Sequence, residues 1–255
     1  MRDRVPLLRS PMVPAPFVHG FSTRAGGVSG AAYASLNLGA KWGDDPARVR
    51  ENRRRFLRAA SIGQLLSLTQ VHGADVVIID AERAAEPEAV ARSRGDALAC
   101  DLSGIALGIY SADCIPILLA DPETGAFAAA HAGWRGTVAG VAAAVVRALV
   151  QRYRTNPAHL RVALGPSIGP CCFEVGEEVA ARFQAPFVRP GASRNGRPTV
   201  DLRAANQAVL VSAGVPAHQI DALPACTACD PARFYSFRRD GRETGQHVAF
   251  ITRQP

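Results

Sequence analysis

Lysine is almost missing from this chain: among 29 basic side chains, Lys41 is the one lysine. Schiff-base chemistry, which needs a lysine amine of depressed basicity, is therefore not expected. Glycines are plentiful but never fall in the G-x-G-x-x-G or G-x-x-x-x-G-K-[ST] spacing, so "FSTRAGGVSG" (21–30) reads as a loop and not as a nucleotide fingerprint. The H-x-E…P-C-x-x-C signature of the zinc deaminases is absent, and "PACTAC" (224–229) approximates only its second half. No nucleic-acid-binding module pattern occurs, and no apolar run has the length that spans a bilayer. Prolines interrupt the basic N-terminal stretch "MRDRVPLLRSPMVPAPF" and no continuous apolar segment follows, so it reads as neither signal peptide nor anchor. The cytoplasm is the expected compartment.

What is present suits a globular chain. Nearly half of the residues are apolar (48%) and a fifth are charged, and 255 residues can bury a large core without disulfides; one domain over 1–255 is the expectation. The six cysteines accordingly read as thiols or metal ligands. A net charge of +7 could attract phosphate, nucleotides or nucleic acid. The arginines are scattered, however, and the densest cluster, Arg53-Arg54-Arg55, falls inside a predicted helix, where a solvated face is the simpler reading. Neither a nucleic-acid nor a membrane partner is expected.

"GDDP" opens that helix, with Asp45 as N-cap and Pro46 at the first helical position, and it runs to about Ala60. Two strand-like runs over 65–80 are broken at His72-Gly73, and 104–114 is a buried-strand pattern ending in a polar tip. A β-hairpin over 115–132 follows, then a helix over 136–153. Residues 160–176 read as a strand, a Gly/Pro turn and a helix start, and 200–213 as a helix stopped by Gly214. "FYSFRRDG" and "HVAFITR" suggest a closing hairpin. Strands and helices mix without strict alternation, which favours an α/β (α+β) layered sandwich with mixed β-sheets over a doubly wound fold.

The hairpin "IPILLA-DPETG-AFAAAHA" carries the chemistry. Pairing Ala120 with Ala126 across the turn sets Ile115 opposite His131 and places Cys114 beside His131 at the open end. Opposite and diagonal side chains on paired strands stand about 5–8 Å apart, close enough to share one ion. A third ligand is available at His72, at a strand break before glycine; His19 has a similar setting, while His159, His218 and His247 lie in surface-like segments. Two imidazoles and a thiolate with one position left open make a catalytic zinc arrangement, able to bring the pKa of a bound water toward neutrality. Asp113 and Asp75 are candidates for proton carrier or for holding a ligand histidine, or are turn formers. Cys226 and Cys229 read as buried structural thiols, or with Cys171 and Cys172 as a structural zinc site.

"HGFSTRAGGVS", "LNLG", "TQVHGADV", "GDALA", "ADCIPILLAD", "AAAHAGWRGT", "LGPSIGPCCFEVG" and "CTAC…FYSFRRDG" together resemble the YfiH-type family. That family was long described as polyphenol oxidase or multicopper laccase and is now assigned as purine nucleoside phosphorylase. The motifs run from about residue 17 to 251. The resemblance implies the layered fold of bacterial toxin cysteine hydrolases and a zinc ion on His72, Cys114 and His131. It also implies phosphorolysis of adenosine, inosine and methylthioadenosine, together with adenosine deamination, so purine nucleosides and phosphate are the implied partners. Where the family usually reads T-G-R near its end, this chain has Thr244-Gly245-Gln246.

A multicopper oxidase fails on counting. Its blue-copper centre alone takes two histidines, a cysteine and usually an axial methionine, its copper cluster takes many more histidines, and this chain has six histidines and two methionines, Met1 and Met12. Adventitious Cu²⁺ at the zinc ligands is nonetheless expected, because copper outranks zinc there. Phosphorolysis needs groups to hold phosphate: Arg135 and Arg238 or Arg239 are candidate forks, or make surface ion pairs, and Asn37 is a candidate hydrogen-bonding partner for the nucleoside, or a turn former. A metal-independent cysteine hydrolase using Cys114 and His131, and a peptidoglycan-editing role that some family members carry, are the competing readings.

Overall fold

Two mixed β-sheets lie face to face in the computed structural model of the chain, which describes residues 5–193 and 195–255. One sheet runs Leu7–Leu8, Phe17–Ser22, His247–Arg253, Ala106–Ser111, Leu65–Leu66 in spatial order. The other runs Ile220–Ala222, Arg161–Leu164, Ile115–Ala120, Phe127–Ala132, Ala97–Cys100, Val76–Ile79. Antiparallel pairs make up the middle of each sheet, and the parallel pairs lie at the edges.

Period-two alternation sorts the strand residues into layers. Leu118, Ala120, Phe127 and Ala129 point between the sheets, where they meet Phe21, Leu107, Ile109 and Ile251. Ile115, Ile117, Leu119, Ala128 and Ala130 point the other way, onto Val145 and Leu149 of the helix Val141–Tyr153 and Leu210 of the helix Leu202–Ser212. Beyond the first sheet, Val248 and Phe250 pack on Phe56 and Ala60 of the helix Pro46–Ala60. The result is four layers: helix, sheet, sheet, helices. Both faces of the central strands are covered, which is why "IPILLA" and "FAAAHA" are buried at every position. The layered sandwich expected from the sequence is the observed architecture.

The helix Pro46–Ala60 starts where the sequence placed it, with the Asp45 carboxylate accepting from the Ala47 amide at 2.8 Å. The three arginines of its densest cluster are occupied: Glu51 pairs with Arg54 and Arg55, and the Arg53 Nε–H donates to the Leu38 carbonyl. Among the described residues no helix is long and apolar enough to cross a membrane.

Three local expectations need correction. The helix over 136–153 is two helices, Trp134–Val138 and Val141–Tyr153, separated by Gly140 at φ 79°, a left-handed conformation that breaks a helix and that glycine adopts without cost. "FYSFRRDG" is not half of a hairpin. It forms the short helix Phe237–Asp240, capped by Ser236, while His247–Arg253 inserts between Phe17–Ser22 and Ala106–Ser111 and buries both of its faces. The central hairpin is shifted by one residue: Asp121 closes the turn on Ala126, its carboxylate accepting from Glu123 N–H and Thr124 Oγ–H, so Ala120 pairs with Phe127 and Pro116, not Ile115, faces His131.

Candidate functional site

That shift brings Cys114 and His131, two of the candidate ligands, together. In the expected register Cys114 and His131 would have pointed to opposite faces of the sheet. In the observed one His131 faces Pro116, so Cys114, two residues back, lies on the same inter-sheet side. Asp113 turns the chain ahead of it at φ 98°, and the Ser111 hydroxyl donates to the Cys114 carbonyl.

His72 arrives from the loop before the edge strand Val76–Ile79, with a left-handed φ of 62°. A single carboxylate holds that loop. Asp96, wholly buried, accepts from the amides of His72 at 2.9 Å and Gly73 at 2.7 Å, from Val71 at 3.2 Å, and from His131 Nδ1 at 2.8 Å. Burial works to raise the Asp96 pKa, but the His131 ring and the amides outweigh it and hold the carboxyl below its ordinary value. With Nδ1 committed to Asp96, Nε2 of His131 is the atom left to bind a metal. The His72 and His131 rings stand 4.8 Å apart at 80°, and one ligand atom from each of His72, Cys114 and His131 lies within 4.8 Å of the others. Ligand atoms on one tetrahedral zinc are about 3.5 Å apart, so small side-chain adjustments close the set. His131 is buried, whereas His72 and Cys114 are half-buried and within reach of solvent.

Space for the set depends on Gly133. A Cβ there would lie 2.9 Å from Cys114 Sγ and 3.1 Å from His72 Cδ2. Electrostatics already favour a thiolate. Burial opposes it, yet the His131 charge and the hydrogen bonds from both rings bring Cys114 down to about 6. Reciprocally, burial opposes charge on His131, but the Cys114 thiolate and Asp96 raise it to about 9.

The two aspartates proposed from the sequence do not reach the ring. Asp75 contributes its carbonyl to the Asp96 and Ala97 amides while its side chain is exposed. The Asp113 carboxylate is taken up by Thr227 Oγ1, Ser236 Oγ and the Arg238 amide. Asp96 fills the role instead; the signal for it was the Gly95-Asp96 step immediately before an apolar strand, inside "GDALA". Asn37 is not free for a nucleoside: its side chain donates to Asp44 and accepts from the Gly39 and Gln246 amides. Arg239 is bound to Asp240 and to the carbonyls of Thr227, Ala228 and Phe234. His19 and His247 are buried acceptors for the Ser10 and Tyr235 amides, and burial lowers them to about 4 and about 3; His247 is thus core rather than surface.

Arg135 and Arg238 remain available. The Arg135 guanidinium lies 4.4 Å over the Trp134 ring. Arg238 lies 5.3 Å over Phe173, donates to the Cys172 and Glu174 carbonyls, and is exposed. A pocket of about 330 Å³ is lined by Trp134, Phe173, Glu174, Val179, Arg197 and Arg238 among others; it lies beside the helix that follows His131. The remaining thiols also gather: Cys171, Cys172, Cys226 and Cys229 form a second cluster, half-buried to exposed and not core as the structural-thiol reading required.

Residues 18–254 match the family described as multi-copper polyphenol oxidoreductase laccase. The chain is 42% identical over 252 residues to a Deinococcus radiodurans protein named purine nucleoside phosphorylase, covering 97% of this chain and 92% of that one. It is 40% identical over 250 residues to a protein of an unidentified prokaryote named adenosine deaminase RL5, covering 93% and 94%. The crystal structure of YlmD from Geobacillus stearothermophilus superposes with a TM-score of 0.89 at 35% identity, over 98% of this chain and 96% of that one.

Proposed function

The chain belongs to the family of enzymes described as multi-copper polyphenol oxidoreductase laccase, and from that membership together with the site geometry we propose that it is a zinc-dependent purine nucleoside phosphorylase. It acts as a single cytoplasmic domain on adenosine, inosine and methylthioadenosine, and also deaminates adenosine. The observation that carries this reading is the convergence of His72, Cys114 and His131 on one point, with His131 fixed by Asp96. Relatives named purine nucleoside phosphorylase and adenosine deaminase support the substrate class.

The donor set fits zinc: two imidazoles and a cysteine with lowered pKa, three ligands that leave a position open. When bound, such an ion supplies Lewis acidity for hydrolytic or phosphorolytic attack. The chain's own groups do the positioning. Asp96 holds His131 in the tautomer that presents Nε2. Arg238, which lines the neighbouring pocket, and Arg135, stacked on the pocket's Trp134, supply positive charge for phosphate, and Trp134 and Phe173 supply aromatic faces for a purine. Cu²⁺ would take the same donors when offered. The oxidase chemistry in the family's description lacks its ligands, because among the described residues no histidine beyond His72 and His131 joins a metal-binding cluster.

Zinc-loaded protein given inosine and phosphate should release hypoxanthine and ribose 1-phosphate, and adenosine should yield ammonia. Both activities should vanish in His131→Ala and on chelation. A metal-loaded, folded chain that turns over no purine nucleoside would overturn the proposal.

One observation favours a second reading, the metal-independent cysteine hydrolase of the related toxin fold: Cys114 at about 6 and His131 at about 9 form a thiolate–imidazolium pair. Activity that survives chelation but is abolished by alkylation of Cys114 would select it.

A further inference from the structure

The second thiol cluster is assembled from two distant segments. Cys171 and Cys172 lie in the loop after the strand Arg161–Leu164, and Cys226 and Cys229 in the loop after the strand Ile220–Ala222. Cys229 Sγ is 3.3 Å from Cys172 Sγ and 3.6 Å from Cys171 Sγ, and all four sulfurs lie within 4.8 Å of one another. Zinc–sulfur bonds of about 2.3 Å in a tetrahedron place sulfurs about 3.8 Å apart, so the cluster has the dimensions of a four-thiolate site. The backbone is shaped for thiolates. Gly169 N–H donates to Cys226 Sγ at 3.2 Å, and a Cβ on Gly169 would crowd Cys171 Sγ at 3.2 Å and Cys226 Sγ at 3.5 Å.

We propose that Cys171, Cys172, Cys226 and Cys229 hold a second, structural divalent metal, zinc by donor preference. Binding converts the four thiols to thiolates and releases their protons to solvent. With four sulfurs the coordination sphere is closed, so the ion binds no substrate. It ties together the two loops that grip Asp113: Thr227, between the paired cysteines, donates to the Asp113 carboxylate and to the Ser167 carbonyl, and Arg238 joins Asp113 to the Cys172 carbonyl. Asp113 immediately precedes Cys114. The second metal thereby braces the floor of the first site without taking part in it.

Protein purified without added metal should carry two zinc ions per chain by elemental analysis. Cys114→Ala and the double variant Cys226→Ser/Cys229→Ser should each carry one. Titrating Cys114→Ala with Co²⁺ should produce the intense visible absorption of a tetrahedral cobalt tetrathiolate, and this measurement decides the matter alone if the double variant does not fold. Equal zinc content in the wild type and a folded double variant overturns the proposal. So does a Co²⁺ titration lacking the tetrathiolate spectrum, or an intact mass showing paired disulfides and no metal. The purine phosphorylase reading fails on a different outcome, a folded chain carrying both ions that turns over no purine nucleoside, which leaves the count at the second site unchanged.

Discussion

Asp96 shows how much one buried carboxylate can organise. It accepts four hydrogen bonds, one from the candidate ligand His131 and three from the loop that carries His72. Replacing it with Asn puts an amide N–H against donors and removes the charge that steadies the imidazole. Asp96→Asn should weaken zinc binding about 10–100-fold, measured by competition with a chelating dye. Because the Asp96 pKa is depressed on folding, its contribution to stability is present above the unfolded carboxyl pKa and is lost as pH falls through its lowered native value; the variant should lack that acid limb in denaturant titrations. Cys114 and His131 act in opposite directions. The depressed thiol stabilises the fold above pH 9 and loses that contribution as pH falls toward 6, while the raised imidazole stabilises it below 6.5 and loses that as pH rises toward 9. Their effects on stability offset, so reactivity is the better readout: in metal-free protein, alkylation of Cys114 by iodoacetamide should have its midpoint near pH 6 instead of near the ordinary thiol value. Gln246 gives a residue-scale test of substrate binding. Its amide bonds to Asn37 and its side chain fills the space beside Gly39, at the position where the resemblance expects arginine. If arginine there meets an anion, Gln246→Arg should lower KM for phosphate several-fold and leave kcat little changed.

At the scale of elements, the site is made at the frayed end of one hairpin. Asp121 sets the register at one end, and the consequence appears at the other, where Cys114 and His131 share a face. Gly133 sits where the second strand passes into the helix Trp134–Val138, with φ −73° and ψ 175°. That conformation is open to any residue, so glycine is needed for space alone. Gly133→Ala should leave the far-ultraviolet circular dichroism of the chain intact while displacing Cys114 Sγ and His72; metal content should fall well below one equivalent at this site and activity should fall with it. Normal zinc loading of Gly133→Ala would show that the three ligands reach the ion in another arrangement. The broken helix teaches a related lesson. "RGTVAGVAAAVV" reads as one helix on its alanines and valines, yet its propensity dips at Gly140, and there, at a positive φ, the chain turns to lay Val141, Val145 and Leu149 on the sheet.

At the scale of the whole molecule, stability rests on the layer between the sheets, which the site borders. Leu118 is fully buried there with Phe127, Ile109 and Ile251. Leu118→Ala should cost about 2–5 kcal/mol and lower Tm by about 2–4 °C for each of them, while the geometry at Cys114, just ahead of the strand Ile115–Ala120, stays in place. Loss of stability with retained zinc stoichiometry is the expected result, checked by calorimetry alongside elemental analysis.

The sequence alone determined the layered α/β character, the capped helix at Pro46, and which three side chains, His72, Cys114 and His131, would be worth seeking at one point, because these depend on local signals: an N-cap with proline, two-sided apolar strands, and a cysteine and histidine bracketing one turn. Only the tertiary structure decided the rest. The register of the hairpin was set by a side-chain turn at Asp121, and the partner of His131 was chosen by a strand distant in sequence. Asp113 was drawn into two loops more than fifty residues further along the chain, and four cysteines from two segments met at one point. Pairings at long sequence separation leave no periodic trace in the chain; they are settled by which surfaces pack against which.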